Sequence, residues 1–201
     1  MKRLVHGIGI NDGKYPVAVF GKHTEVYSTW ERMIFRCTSK CWEKNPSYIG
    51  VTCSENFKFF SYFYEWYHNQ PNSNKRDEKG RKWSIDKDLL VKGNKLYSED
   101  TCVFVPQRIN ALLVKNDSCR GKYPVGVYFN KHAKKFKASC CEGAGNGMGT
   151  YLGYYNTPEE AFDAYKEYKE ALIKKVAEQY KSDIDSRVYS FLMQYSIDAS
   201  D

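Results

Sequence analysis

The sequence predicts an α+β protein. It has a small helical and ββα-type N-terminal part, then a three-stranded antiparallel sheet packed on one long helix, and a C-terminal helix. Two observations predict this fold class. The first half has apolar residues at helical spacing, and the second half has three strand-like segments followed by an amphipathic pattern of about 22 residues. The 201 residues are 42% hydrophobic and 16% aromatic, which is enough for packed cores.

Two helices are expected in the first half. Ser28 precedes Glu31 by three positions, which is the spacing of a capping box. Residues at helical spacing follow it: Trp30, Met33, Ile34 and Cys37. A second helix is predicted over residues 54–68, with an aromatic stripe, and a short strand over residues 102–105.

In the second half, strands are predicted over residues 123–129, 135–141 and 151–155. Thr157, Pro158 and Glu160 then supply an N-cap, a proline at N1 and an N3 glutamate. The helix that they begin carries one apolar stripe, made of Ala161, Tyr165, Tyr168, Leu172 and Val176. Apolar residues from Ile184 to Tyr195 predict a last helix.

One helix can cover only one face of such a sheet, so strand alternation predicts an exposed face. The expected helix-facing side chains are Val125, Val127, Phe129, Phe136, Ala138, Cys140 and Leu152. The expected outward side chains are Tyr128, Asn130, Lys135, Lys137, Ser139, Cys141 and Tyr151. Lysine, tyrosine and asparagine can contact DNA phosphates or base edges, but an ordinary solvated face has the same pattern.

A polar break at residues 115–121 predicts the domain organisation: residues 1–114, residues 115–181 and an acidic helix or tail at residues 182–201. The chain has a net charge of +7, and it is unevenly distributed. Residues 115–150 contain seven lysines and arginines against two acids, whereas the last twenty residues are acidic. This asymmetry favours a basic face and a polyanionic partner.

No apolar run is long enough for a membrane span and no secretion signal is recognised, so we expect a cytoplasmic protein without membrane contact. The seven cysteines have no framework spacing and are expected to be reduced. Four of them are candidates for a structural Zn²⁺ site, with buried free thiols as the alternative: Cys37, Cys41, Cys53 and Cys102.

One heptapeptide recurs with a single mismatch, as GKYPVAV at residues 13–19 and GKYPVGV at residues 121–127. The first copy is either a partial repeat of the same strand or a chance similarity between two strand starts.

The second half resembles the plant ethylene-response-factor, or APETALA-type, DNA-binding domain, which also occurs in phage and homing-nuclease proteins. The resemblance lies in YPVGV at residues 123–127, KFKA at residues 135–138 and YLGYYNTPEEAFDAY at residues 151–165. It implies that the sheet binds double-stranded DNA in the major groove. By position it implicates Tyr128, Asn130, His132, Lys135, Lys137, Ser139, Cys141 and Tyr151. Plant members have arginine and tryptophan at most of these positions, so their sequence preference does not transfer.

The first half resembles phage proteins of the HNH endonuclease type. The resemblance lies in YSTWERMIFRC at residues 27–37, YIGVTC at residues 48–53, the aromatic helix, IDKD at residues 85–88, GNKLYS at residues 93–98, Cys102 and Asn110. It implies a site that binds Mg²⁺ and cleaves DNA. The general-base histidine aligns with Lys87 and the usual asparagine with Thr101. Asp86 and Asn110 keep plausible catalytic roles, with Asp88 and Asn94 as spare oxygen ligands, and the region is expected to be degenerate.

Three functions follow from these patterns. The favoured one is a double-stranded DNA-binding protein of phage origin, residing in the bacterial host cell and without catalysis. The second is a metal-dependent HNH homing endonuclease or nickase. The third is a phage protein that binds and modulates a host protein.

Overall fold

The computed structural model describes residues 4–113, 122–142 and 149–199, and it has the predicted α+β class. The chain divides into two compact units, Met1–Val105 and Pro106–Asp201. The polar break at residues 115–121, where the sequence places a boundary, lies outside the described residues. None of the described helices combines the length and the apolar character that crossing a bilayer requires.

In its described part, residues 4–105, the first unit has three α-helices and three small two-stranded sheets. The helices are α1 (Glu25–Arg36), α2 (Ser39–Lys44) and α3 (Phe60–Asn69), with 3-10 turns at Pro46–Tyr48 and Asn56–Lys58. The strands are β1 (Ala18–Val19), β2 (Lys22–His23), β3 (Thr52–Cys53), β4 (Ser84–Asp86), β5 (Leu96–Tyr97) and β6 (Val103–Val105). β1 pairs with β2 and β4 with β6, both antiparallel, while β3 and β5 are parallel.

Helix α1 buries the predicted apolar residues but begins earlier than expected. Trp30 is fully buried, and its indole N–H donates to the Phe57 carbonyl at 2.8 Å. The N-cap is Thr24, whose hydroxyl accepts the Tyr27 amide at 3.2 Å. The predicted capping box at Ser28 was therefore wrong, because the extended backbone that a cap requires lies at Thr24, one turn earlier.

Helix α3 is shorter than the predicted segment of residues 54–68. A 3-10 turn occupies Asn56–Lys58 and Phe59 is extended, so the α-helix starts at Phe60. The backbone around this start pairs with Ile10, which donates to the Lys58 carbonyl at 2.7 Å and accepts from the Phe60 amide at 2.9 Å. The aromatic stripe is core as its spacing predicts, with Phe57, Phe60, Phe63 and Tyr67 buried.

The second unit contains the predicted three-stranded sheet and its helix. Its elements are α4 (Gln107–Leu113), β7 (Val127–Asn130), β8 (Lys135–Cys140), β9 (Thr150–Tyr155), α5 (Pro158–Gln179) and α6 (Ser186–Met193). The sheet is antiparallel with β8 in the centre. Helix α6 packs on α5 and buries Val188 and Leu192, so the predicted C-terminal helix is part of this unit.

The start of α5 has the predicted capping box. The Thr157 hydroxyl accepts the Glu160 amide at 3.2 Å, and the Glu160 carboxylate accepts the Thr157 amide at 3.4 Å. Ala161, Tyr165, Leu172 and Val176 of the predicted stripe are buried. Tyr168 is only half-buried, and its neighbour Lys169 takes a buried place instead.

Gly126 lies directly against the Tyr165 ring. Gly126 has a φ of +77°, and a Cβ at this position would lie 2.1 Å from Cδ2 of Tyr165. A glycine is required here twice over, for its left-handed backbone and for its missing side chain. The small core next to it consists of Val127, Ala138 and Ala161.

We expect Gly126→Ala to destabilise the second unit by about 2–5 kcal/mol, because left-handed strain adds to overpacking. All four tryptophans lie in the first unit, at positions 30, 42, 66 and 83. Urea unfolding followed by circular dichroism should therefore show a lower free energy of unfolding for the second unit. The urea midpoint followed by tryptophan fluorescence, which reports on the first unit, should stay unchanged.

The matched control is Gly93→Ala. Gly93 has a φ of +81° and nothing within 4 Å of an added Cβ. The substitution therefore adds backbone strain without overpacking, and we expect it to destabilise the tryptophan-containing first unit by about 1–2 kcal/mol. Equal losses in the two variants would contradict the proposed contact with Tyr165.

Candidate nucleic-acid interface

The sheet of the second unit has one face on α5 and one face toward solvent. The buried Ala138 and Cys140 of β8 lie on the helix side, together with the core residue Val127 of β7. Strand alternation then places Lys135, Lys137 and Ser139 on the outer face, as predicted. Phe129 contacts Phe136 on the inner side at the sheet edge, where it remains 40% exposed.

Lys137 stands at the centre of the outer face, among three tyrosines. In the register of the sheet it lies between Tyr128 of β7 and Tyr154 of β9. Its ammonium is 5.2 Å from the centre of the Tyr128 ring and 5.3 Å from that of the Tyr151 ring. Tyr128, Tyr151 and Tyr154 are 43%, 54% and 41% exposed, so they form an open aromatic surface around a cation. The hydrogen bond with Tyr128 raises the pKa of Lys137, which therefore stays charged.

Tyr154 belongs to this face but strict strand alternation assigns it inward. Ala138 pairs with Gly153 but Ser139 pairs with Tyr151, so β9 has one extra residue, a β-bulge, at Leu152. Leu152 packs on the core, and after the bulge Tyr154 returns to the outer face. A glycine inside a strand is a sequence signal for such an irregularity, and Gly153 could have indicated this one. Its φ is +140°.

Asn130 lies on the outer face, but its amide is already used. Its Nδ2 donates to the Tyr154 hydroxyl at 3.0 Å. Its Oδ1 accepts the backbone amides of His132 and Ala133 at 3.0 and 2.9 Å, which fixes the turn between β7 and β8. Asn130 therefore orders the turn and the Tyr154 ring, and its amide would have to break these bonds to read an adenine.

The turn extends the positive charge beyond the strands. Residues 127–141 contain four lysines and no acid: Lys131, Lys134, Lys135 and Lys137. His132 is exposed in the same turn. Glu142 follows, but its carboxylate accepts hydrogen bonds from Tyr168 of α5 and from Thr150, and these lower its pKa. Ser139 and the exposed Cys141 complete the predicted residues of this region.

In the first unit, Asp86, the aspartate with the predicted catalytic role, stabilises a turn. Asp86 Oδ1 accepts the backbone amides of Asp88 and Leu89 at 3.0 and 2.8 Å. Burial, and after it the neighbouring Asp88, raise the pKa of Asp86 to about 6. Lys87, in the position of the histidine, is buried with its ammonium 3.0 Å from the Asp88 carboxylate.

The other polar residues of the nuclease resemblance also have local structural partners. Asn94 Nδ2 donates to the carbonyls of Lys87 and Leu96, at 2.7 and 2.8 Å. The Thr101 hydroxyl donates to the Leu96 carbonyl at 3.0 Å. Asn110 lies in α4 and thus in the second unit. Within the described ranges, no three His, Cys, Asp or Glu side chains are grouped so that they could hold a metal ion.

The four cysteines proposed for zinc do not form a metal-binding group either, and all four are buried free thiols. Cys37 and Cys53 contact each other, and this hydrogen bond raises the pKa of Cys37. Burial raises the pKa of Cys102 to about 12. Cys41 lies in α2, where Asn45 Nδ2 donates to its sulfur at 3.9 Å. Buried thiols, the alternative left open by the sequence, describe these residues.

Comparison of the chain with protein-family models, with curated proteins and with solved structures found no match.

We expect Asp86→Asn to stabilise the first unit at pH 8. The folded pKa of Asp86, about 6, lies above that of an unfolded aspartate, about 3.9. Its stabilising contribution is thus complete below about pH 4 and is lost as the pH rises through about 6. An asparagine stays neutral and keeps an oxygen for the two amides.

Urea unfolding followed by tryptophan fluorescence at pH 5 to 8 measures this effect. The advantage of Asp86→Asn should shrink toward pH 5, because the Asp86 carboxyl becomes protonated in the wild type. A constant difference between Asp86→Asn and the wild type at every pH would disprove the assignment.

Proposed function

We propose that this protein binds double-stranded DNA through the outer face of β7, β8 and β9. The observation that carries the proposal is Lys137, which three exposed tyrosines surround on the face that α5 leaves uncovered. A lysine in this position can neutralise a phosphate, and tyrosine hydroxyls can donate to phosphate oxygens. The width of a small antiparallel sheet also suits the major groove.

Phosphate contacts should dominate this interaction over base readout. Residues 127–141 contain no arginine, so bidentate guanine contacts from this segment are absent. The amide of Asn130, which could otherwise pair with adenine, is bound to Tyr154 and to the turn. We therefore propose binding that depends strongly on salt and only weakly on sequence.

Lys137→Met tests the central contact, because methionine keeps much of the apolar stem and removes the charge. We expect weaker binding to duplex DNA and a slope of log K against log salt that is smaller by about 0.9, as for one lost phosphate contact. Fluorescence anisotropy with a labelled 20-bp duplex, titrated between 50 and 200 mM salt, measures both quantities.

Lys174→Met is the matched control. Lys174 is an exposed lysine of α5, the helix that covers the opposite face of the sheet, and the substitution removes the same charge. If both variants lose the same slope, binding follows net charge alone and the outer face is not the interface. If the wild type ignores duplex DNA even at 50 mM salt, the proposal itself fails.

The pair Tyr154→Ala and Tyr154→Phe tests whether the aromatic surface contributes. The alanine variant removes the aromatic ring that lies beside Lys137. We therefore expect its affinity for duplex DNA to fall about threefold to tenfold. The phenylalanine variant keeps the ring and should bind within about twofold of the wild type. Equal affinities for the two variants would show that the ring is not needed, provided that thermal unfolding by circular dichroism is unchanged.

A further inference from the structure

The outer face of β7, β8 and β9 has few groups that can distinguish one base pair from another by hydrogen bonds. Residues 127–141 contain no arginine, and the amide of Asn130 is bound to Tyr154 and to the turn. The lysines of this face carry a charge that the phosphates of any sequence satisfy. Ser139 lies on the same face, but a serine hydroxyl can pair with more than one kind of base edge. A sequence preference of this face therefore has to come from another kind of contact.

The tyrosine rings are the groups of this face that remain available. The Tyr154 hydroxyl accepts the Asn130 amide at 3.0 Å, and the Tyr128 hydroxyl is hydrogen-bonded with the Lys137 ammonium. The Tyr154 ring also packs against the Tyr151 ring, edge to face, with centres 5.5 Å apart. These contacts hold the rings in place, while all three residues stay more than 40% exposed. The face thus offers an ordered apolar surface beside a positive charge.

Two of these rings lie in one row across the sheet. Tyr128 of β7 and Tyr154 of β9 both pair with Lys137 of β8. Neighbouring strands are about 4.8 Å apart, so the backbones of the two tyrosines are separated by about 10 Å. This separation is smaller than the width of the major groove, about 12 Å, and both rings can therefore enter the groove together.

In the major groove, thymine has an apolar feature that the other bases lack, the methyl group on C5. An apolar side chain can recognise thymine by contact with this methyl group, without a hydrogen bond. We propose that the rings of Tyr128 and Tyr154 contact thymine methyl groups, so that this face prefers A·T-rich duplex DNA. This inference rests on the proposed function and names the base composition that the same face selects. The preference is small beside the phosphate contacts, because burying one methyl group changes affinity by about twofold to fourfold.

Two base substitutions test the methyl contact without a known target site. Uracil in place of thymine removes the methyl group, and 5-methylcytosine in place of cytosine adds one at the same ring position. Neither substitution changes the hydrogen-bonding groups of the base. We expect the wild type to bind a 20-bp A·T duplex about twofold to fourfold more tightly than its uracil counterpart, and a methylated 20-bp G·C duplex more tightly than its unmethylated counterpart by the same factor.

Fluorescence anisotropy at 50 and 200 mM salt measures both affinity ratios. Each ratio should be the same at the two salt concentrations, because a methyl group carries no charge and releases no counterions. A ratio that disappears at 200 mM salt would show that the preference is electrostatic, and would contradict the methyl contact.

The double variant Tyr128→Ala/Tyr154→Ala tests whether the two rings are responsible. Both side chains lie on the uncovered face, so the thermal unfolding transition followed by circular dichroism should be retained. The variant should bind the two members of each DNA pair equally. Tyr128→Phe/Tyr154→Phe keeps the rings and should keep both ratios. Lys137→Met is the matched control in the same row: it removes a charge and no ring, so it should bind more weakly and keep both ratios.

The failures are distinguishable. Equal affinities of the wild type within either DNA pair would overturn the methyl contact and leave DNA binding standing. Ratios that persist in Tyr128→Ala/Tyr154→Ala would show that the methyl groups act through DNA shape or through other residues, and the assignment to these two rings would be wrong. If the wild type binds none of the four duplexes at 50 mM salt, the inference and the proposed function fall together.

Discussion

The contact between the Tyr165 ring and the backbone of Gly126 is the constraint on which the second unit depends. It brings α5 against the beginning of β7, and Val127, Ala138 and Ala161 form a core beside it. This core is small, and one helix is enough to cover it. The opposite face of the sheet therefore has no packing role, and its Lys137 and tyrosines are not required by the core.

The regular parts of this unit could be predicted because their signals are local. The capping box at Thr157 and the alternation along β8 depend on neighbouring residues only, and both have the predicted form. Tyr154 could not be assigned, because a bulge in β9 reverses the alternation, and the bulge depends on pairing with β8. The predicted cap of α1 was wrong because Ser28 and Thr24 are both residue types that suit a cap, and only Thr24 has the extended backbone that a cap requires.

In the first unit, local structural partners occupy the polar residues that the sequence suggests for catalysis. Asp86 accepts two backbone amides, Lys87 pairs with Asp88, and Asn94 holds the loop between them and β5. Sequence alone could suggest a metal ligand at each aspartate, since it does not show which oxygens are occupied by the backbone. The same limit applies to the cysteines, which spacing permits as zinc ligands and burial leaves as thiols.

The two proposed contributions to DNA binding, the charge of Lys137 and the aromatic surface around it, differ in their physical origin. Lys137 acts through charge, and the release of counterions makes its contribution decrease as salt increases. The tyrosine rings around it carry no charge, so their contribution releases no counterions and should depend little on salt. Lys137 is ordered by Tyr128 and Tyr151, so its side chain needs little further ordering on binding. Since only one of the two effects depends on salt, a salt titration separates the contribution of the Lys137 charge from that of the tyrosine rings.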